Sequence, residues 1–452
     1  MGKNAPSPNH AGRRGARSES MPPFEQHPLR RTLSDEIHAR PPVALETPEF
    51  VTYLAFIHHE GSAERETDHL QALAEQLGLP APDHRSGHVL LQADGFRLKW
   101  ERHNEFSSYC FFRRSAPSAA GAGDYALLHV PAAWREAIPG QLIAATHIEV
   151  RSTADVPPQS VLHQQSAHGQ ALVASQVAGG AGWVLTDFHL HEGFSHFLVL
   201  DDHLTPRQAG RIAQRLVEIE TYRVMALLAF PVAKEVGRLV SRAEDELADL
   251  MDGMDQARSA EDDRAILTRL SRLAAEVERS VARTTFRFGA AAAYYRLVRR
   301  RIEDLREERL PGFSPISEFM DRRLVPAIDT CTSIARRQDD LSARIARNSQ
   351  LLRTRVDIEL ERQNQELLAQ MNRRAKIQLH LQETVEGLSV VAITYYASQL
   401  VNYVAKGAKT LIAPLTPESI TAASIPVIAS FVFMGLRRMR KALAKEGGGG
   451  SR

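Results

Sequence analysis

Two hydrophobic periods share this chain, and the change from one to the other divides it. Up to about residue 203 the apolar runs are short, rich in β-branched and aromatic residues, and bounded by Gly, Pro or Asp. VTYLAFIH (Val51–His58), HVLLQAD, FRLKWER, YCFFRR, QLIAATHIEV, GQALVASQVA, GWVLTDFHL and FSHFLVLDD are of this kind. Runs of that length and composition predict strands, with turns at Gly95, Gly179-Gly180 and Glu192-Gly193. Glu64–Leu77 breaks the pattern: Leu70, Leu73 and Leu77 recur at helical spacing, and Gly78 and Pro80 end it. The expectation for this part is an antiparallel or mixed sheet with a few helices.

From Thr205-Pro206 onward the period is helical. Thr205 is a capping residue, Pro206 suits a first helical position, and Gln208 completes a capping box. Ile212, Leu216, Ile219 and Met225 follow on one face, with a kink expected at Pro231, and the pattern runs on to Gly253. Ser259 opens a second long helix, with Glu261, Asp262 and Asp263 placed against its positive end. A third begins at Ser314-Pro315. Its apolar positions Leu341, Ile345, Leu352, Val356, Leu360, Leu367 and Met371 are coiled-coil-like, interrupted by the polar Gln363.

The last sixty-odd residues change the picture again. Gly387–Ala405 and Ile420–Leu436 are uncharged over 19 and 17 residues. At about 1.5 Å per helical residue, each approaches the roughly 30 Å of a hydrocarbon core. Arg373, Arg374 and Lys376 precede the first stretch, and Arg437, Arg438, Arg440 and Lys441 follow the second. These are read as membrane-interface residues facing anionic lipid. The positive-inside bias predicts a multi-pass hairpin with both termini cytoplasmic and the short loop outside. Ser389, Thr394, Ser398 and Asn402 recur along the first stretch and suit interhelical contact, so a homo-oligomer is expected.

The fold class expected is thus an α+β cytoplasmic domain, a long helical stalk and a C-terminal two-helix transmembrane hairpin. The divisions are a disordered 1–23, an α/β domain 24–203, a stalk 204–386, a hairpin 387–441 and a flexible 442–452. Charge adds little: 56 Lys+Arg against 54 Asp+Glu leave a formal +2, which does not favour nucleic acid as a partner. Two cysteines, Cys110 and Cys331, imply no disulfide framework.

Histidine placement points to candidate chemistry. Seventeen of the 18 lie at or before His203, and TDFHLHEGFSH concentrates His189, His191, Glu192 and His196. His189 and His191 share a strand face and a turn at Gly193 returns His196, so the three form a candidate divalent-metal site. Solvated hairpin residues are the plainer reading, since no HExxH-type spacing is present. His38 with Asp35 or Glu36 is a weaker acid–base candidate with Arg40 as an anion ligand, more plainly a structural N-terminal cap, and Arg102, His103 and Glu105 are a similar polar set, more plainly a solvated strand edge. Walker, GxGxxG and GxSxG signatures are missing.

HPLR…DEIHARPP, KWERHNEFSSY, RLVEIETYRVMALLAFPVA and RRAKIQLHLQETVEGLSVVAITYY resemble a family of bacterial membrane-anchored proteins of unknown function. The resemblance covers Phe24 to about Leu443. It implies a C-terminal anchor in a bacterial inner membrane and brings no activity. In layout alone the chain is similar to magnesium/cobalt channels, but their Gly-Met-Asn signature is missing, and Lys406 and Lys409 stand at the would-be mouth. A binding or assembly module is therefore the leading expectation. A divalent cation channel and a metal-dependent enzyme built on His189, His191 and His196 are the alternatives.

Overall fold

A computed structural model describes residues 25–31, 33–34, 41–58, 62–83, 87–115, 125–167, 172–407 and 416–447. The N-terminal segment 1–23 lies outside them, as do His38, Asp35, Glu36 and Arg40; of the segment 442–452 expected to be flexible, 442–447 are described and helical. In chain order the elements are β1 (Glu49–Ile57), α1 (Ser62–Gln76), β2 (His88–Ala93), β3 (Phe96–Arg102), β4 (Phe106–Arg114) and a 3-10 turn at Ala126–His129. Next come α2 (Ala132–Glu136), β5 (Gln141–Ser152), α3 (Pro158–Ala167), β6 (Val173–Val177), β7 (Gly182–Thr186), β8 (Leu190–His191) and β9 (Phe194–Asp201). The helical part holds α4 (Pro206–Leu227), α5 (Ala229–Gln256), α6 (Ala260–Leu305), β10 (Glu308–Arg309), α7 (Ile316–Arg323), α8 (Val325–Gly407) and α9 (Pro417–Gly447).

The strands form one mixed sheet in the order β10-β6-β7-β9-β5-β1-β4-β3-β2, with β8 paired to β9. EFVTYLAFI is buried on both faces along most of its length, as a central strand must be. It pairs antiparallel with β4 and β5. β5 and β9 run parallel, so the chain makes a long excursion between them.

Alternation sends one set of side chains to each face. Val51, Tyr53, Ile148, Val150, Phe197 and Val199 pack against Ile212 and Leu216 of α4, Val298 and Ile302 of α6, and Met320 of α7. On the opposite face Leu54, Leu98, Trp100, Tyr109 and Phe111 pack with Leu70 and Leu73 of α1 and with Trp134. A smaller cluster, Ala174, Leu185 and Leu200, lies under Val161 and Leu162 of α3.

Helix starts follow their capping chemistry. The Thr205 hydroxyl accepts the Gln208 N–H, and the Gln208 side chain accepts the Thr205 N–H at 2.9 Å. The Ser259 hydroxyl accepts the Asp262 N–H at 3.1 Å, opening α6. The kink expected at Pro231 is a break: α4 ends at Leu227 and α5 begins at Ala229. A ring at position 231 removes a donor and crowds the carbonyl four residues back, which is Leu227. The helix expected from Ser314-Pro315 is likewise split at Leu324 into α7 and the 83-residue α8. The helix α8 runs unbroken through the first apolar stretch.

The chain divides into two compact units, Met1–Ala248 with Arg272–Ile345, and Asp249–Ser271 with Ala346–Arg452. In the second unit, Arg355 donates to the carbonyls of Met254 and Ala257 at the end of α5 and pairs with Asp263 at 3.1 Å. One guanidinium thus closes one helix end and neutralises an acid in the first turn of α6.

Of the two expected spans, one is long and apolar enough to cross a membrane: Pro417–Arg438, whose most apolar 18 residues have mean hydropathy 1.9 and are all unburied. The first stretch is more polar along its length, because Tyr395, Tyr396, Gln399, Asn402 and Tyr403 interrupt its aliphatic residues.

Candidate functional site

Between the two cores on the α1/α3 face of the sheet lies a band of polar and aromatic side chains. Its floor is set by register. His147 of β5 and His196 of β9 are direct partners across the parallel ladder, with ring centroids 5.3 Å apart. Glu149, two residues along β5, shares their face. The β8–β9 hairpin then folds back so that the His191 ring lies 5.8 Å from that of His196.

His147 is held on every side. Its Nδ1 is 2.9 Å from the Thr52 hydroxyl, the Tyr125 ring stacks on it at 3.6 Å, and Phe194 stacks at 4.0 Å. Burial, reinforced by the neighbouring His196, pushes its pKa down to about 3. Burial also lowers the His196 pKa, with His191 nearby adding to the effect. Both imidazoles are therefore neutral near pH 7. The Tyr125 hydroxyl donates to Glu149 at 2.9 Å, and Arg151 pairs with the same carboxylate at 3.2 Å.

Asp187, at the end of β7, completes the group. Its carboxylate accepts the His189 N–H at 3.0 Å and contacts His191 Nε2 at 2.6 Å. Burial alone would raise this carboxyl, but those two partners outweigh it and hold it below its usual range. The backbone conformation that aims Asp187 is strained: Phe188 sits at φ +54°. A bulky residue there costs about 1–2 kcal/mol. Phe188 is fixed by stacking on Phe319 at 4.5 Å, an edge contact with Phe197 at 5.6 Å, and the Arg223 guanidinium at 5.4 Å.

A recess of about 390 Å³ opens over this group. Glu149, Asp187, His191 and His196 give it a polar rim, and Leu185 and Leu198 an apolar floor. A neutral imidazole at His196, the ring of His191, two carboxylates and an aliphatic wall can hold a small amphipathic molecule and move protons on it.

The three histidines proposed as metal ligands are split by this geometry. His191 and His196 face the recess. The exposed His189 binds its Nδ1 to the Asp187 carbonyl at 2.9 Å and lines a second recess with Arg223 and Phe319. Among the described residues no three His, Cys, Asp or Glu side chains are grouped to hold a metal ion. Glu149, Asp187, His147 and Tyr125 were not singled out in sequence; only the Asp187–His191 spacing was locally visible.

Ser107, His58 and Glu66 look at first like a nucleophilic triad, since Ser107 Oγ lies 2.8 Å from His58 Nε2. The acid is in the wrong place. Ser107 donates to Glu66 at 2.7 Å, and Glu66 approaches the same His58 nitrogen at 3.7 Å, whereas an activating acid holds the other one. Arg102 pairs with Glu66 at 3.1 Å, making this a buried charge lock. Of the companions of Arg102, Glu105 pairs with Arg287 and His103 stacks on Phe106.

The basic residues assigned to a membrane interface sit on α8 (Arg373, Arg374, Lys376) and α9 (Arg437, Arg438), all exposed. Arg440 and Lys441 are on α9, beyond the residues whose side chains are described. A search of curated proteins finds no match to this chain. A family model described as "Protein of unknown function (DUF3422)" matches residues 25–443.

Proposed function

We propose, for a chain that belongs to the DUF3422 family and takes no assigned activity from it, a membrane-anchored binding module. The sheet unit offers its recess to a small ligand, and α9 with the end of α8 forms a hairpin in the bilayer. The observation that carries the reading is α9 itself. Pro417–Arg438 presents Val427, Phe431, Phe433 and Met434 at 56–74% exposure, with no burial to offset the cost of that surface in water.

Support for a hairpin comes from burial on one side of each helix. Thr394, Ser398 and Ala405 are buried at helical spacing on α8, and Thr421, Ser424, Ile428, Val432 and Leu436 are half-buried at helical spacing on α9. Small and hydroxylated residues on such faces suit close packing in lipid. The basic residues at both ends favour cytoplasmic termini in a bacterial inner membrane. A second copy of the chain is the partner favoured by Leu367, Leu368, Met371, Ile377 and Leu381, exposed along α8.

Fractionation tests this. The full chain is expected in the membrane pellet after alkaline carbonate washing, and a variant lacking 417–447 in the supernatant. Equal recovery of both in the soluble fraction would overturn the anchor. A C-terminal reporter active only outside the cytoplasm would overturn the orientation, and a monomer mass in detergent the self-association.

A further inference from the structure

We propose that the recess over Glu149, Asp187, His191 and His196 is a binding site for an organic ammonium ion carrying a short alkyl group. This deepens the proposed ligand-binding role and does not depend on the anchor.

Donor and acceptor bookkeeping decides the ligand class. Burial keeps the His196 imidazole neutral, so one ring nitrogen carries a proton and is a donor. In a neutral imidazole the other is an acceptor. Thr186 spends its hydroxyl proton on the His196 carbonyl at 2.7 Å. Glu149 and Asp187 are acceptors throughout. Arg151 matches Glu149, whereas Asp187 is met by an amide N–H and an imidazole rather than a fixed cation. The rim is thus rich in acceptors and carries an excess of negative charge.

A carboxylate or phosphate placed here meets the Asp187 charge with no fixed cation beside it. A neutral alcohol supplies one donor. A metal ion finds no group of three ligands. A protonated amine supplies three donors and the missing charge, and its chain covers Leu185 and Leu198. The strain at Phe188 fits this reading, because it fixes the Asp187 carboxylate at the rim independently of any ligand.

Calorimetric titration of the full chain in detergent with hexylammonium, 1-hexanol, hexanoate and Zn²⁺ provides the test. Hexylammonium is expected to bind at least tenfold more tightly than hexanol or hexanoate. Glu149→Gln is expected to weaken it at least tenfold, and Val161→Trp, which fills the recess from α3, to abolish binding. Unchanged circular dichroism and melting identify variants that remain folded. Equal or tighter binding of hexanol or hexanoate overturns the proposal, as does hexylammonium affinity indifferent to both variants. Zn²⁺ binding lost in His191→Ala without hexylammonium binding, or no binding of any probe at millimolar concentration, overturns it too. None of these results bears on whether the chain pellets with membranes, so the two readings fail separately.

Discussion

His147 sits between two aromatic rings with its protonation settled by burial, and this has a measurable consequence. Its pKa is about 3 in the fold against 6.5 for the ordinary side chain. Between those values the unfolded chain holds a proton that the native chain does not, so stability falls as pH drops through that window. The slope is about 1.4 kcal/mol per pH unit for a single proton. His58, His69 and His196, all lowered by burial, act in the same direction. The variant His147→Gln keeps a partner for Thr52 and removes the titration. Denaturant unfolding between pH 6.5 and 4.5 is expected to show a slope smaller by up to one proton, and an unchanged slope would mean that His147 is charged in the fold. None of this was visible locally. A lone His in QLIAATHIEV reads as any polar strand residue, and its environment is assembled from Thr52, Tyr125, Phe194 and His196, all far away along the chain. The local cluster His189, His191 and His196 was legible, but its grouping was not, because the bend at Phe188 turns His189 towards Arg223 while Asp187 remains beside His191.

Local chemistry made the elements easier to read. The capping box at Thr205, the acidic opening of α6 and the turn at Gly193 each depend on neighbours within a few residues, and each appears where the sequence places it. Sheet order was illegible because the parallel β5–β9 pairing is made across α3, β6, β7 and β8. The contact between α4 and the preceding segment was equally hidden. A Cβ added at Gly210 would stand 1.9 Å from the Val43 carbonyl oxygen, and Leu45 donates to the Pro206 carbonyl at 3.0 Å nearby. Gly210 looks like a helix weakness in sequence; in the fold it lets the segment before β1 lie directly on α4. Gly210→Ala should raise helix propensity by about 1 kcal/mol yet destabilise the protein by about 1–3 kcal/mol net, through forced backbone movement. Thermal melting of the variant checks the sign, and an increase in Tm would contradict the close approach.

For the molecule as a whole, the division into a sheet with covering helices and a C-terminal apolar helix was legible, since both periods and the uncharged stretches are local patterns. In the proposed anchor, Val427 lies near the middle of Pro417–Arg438, where an arginine costs about 2.5–3.5 kcal/mol to insert. Val427→Arg is therefore expected to shift the chain from the carbonate-resistant pellet towards the soluble fraction, while the same change at exposed Leu360 of α8 leaves it there. The β5–β9 ladder adds a consequence concerning time. All ten described strands, and the helices that cover both faces of the sheet, precede α9 in the chain. A ribosome making roughly 5–20 residues per second therefore releases a foldable sheet unit several seconds before the apolar helix emerges. A body already folded cannot be threaded through a membrane pore as an extended strand, so insertion of α9 after folding would leave the recess over Glu149 and Asp187 in the compartment of synthesis.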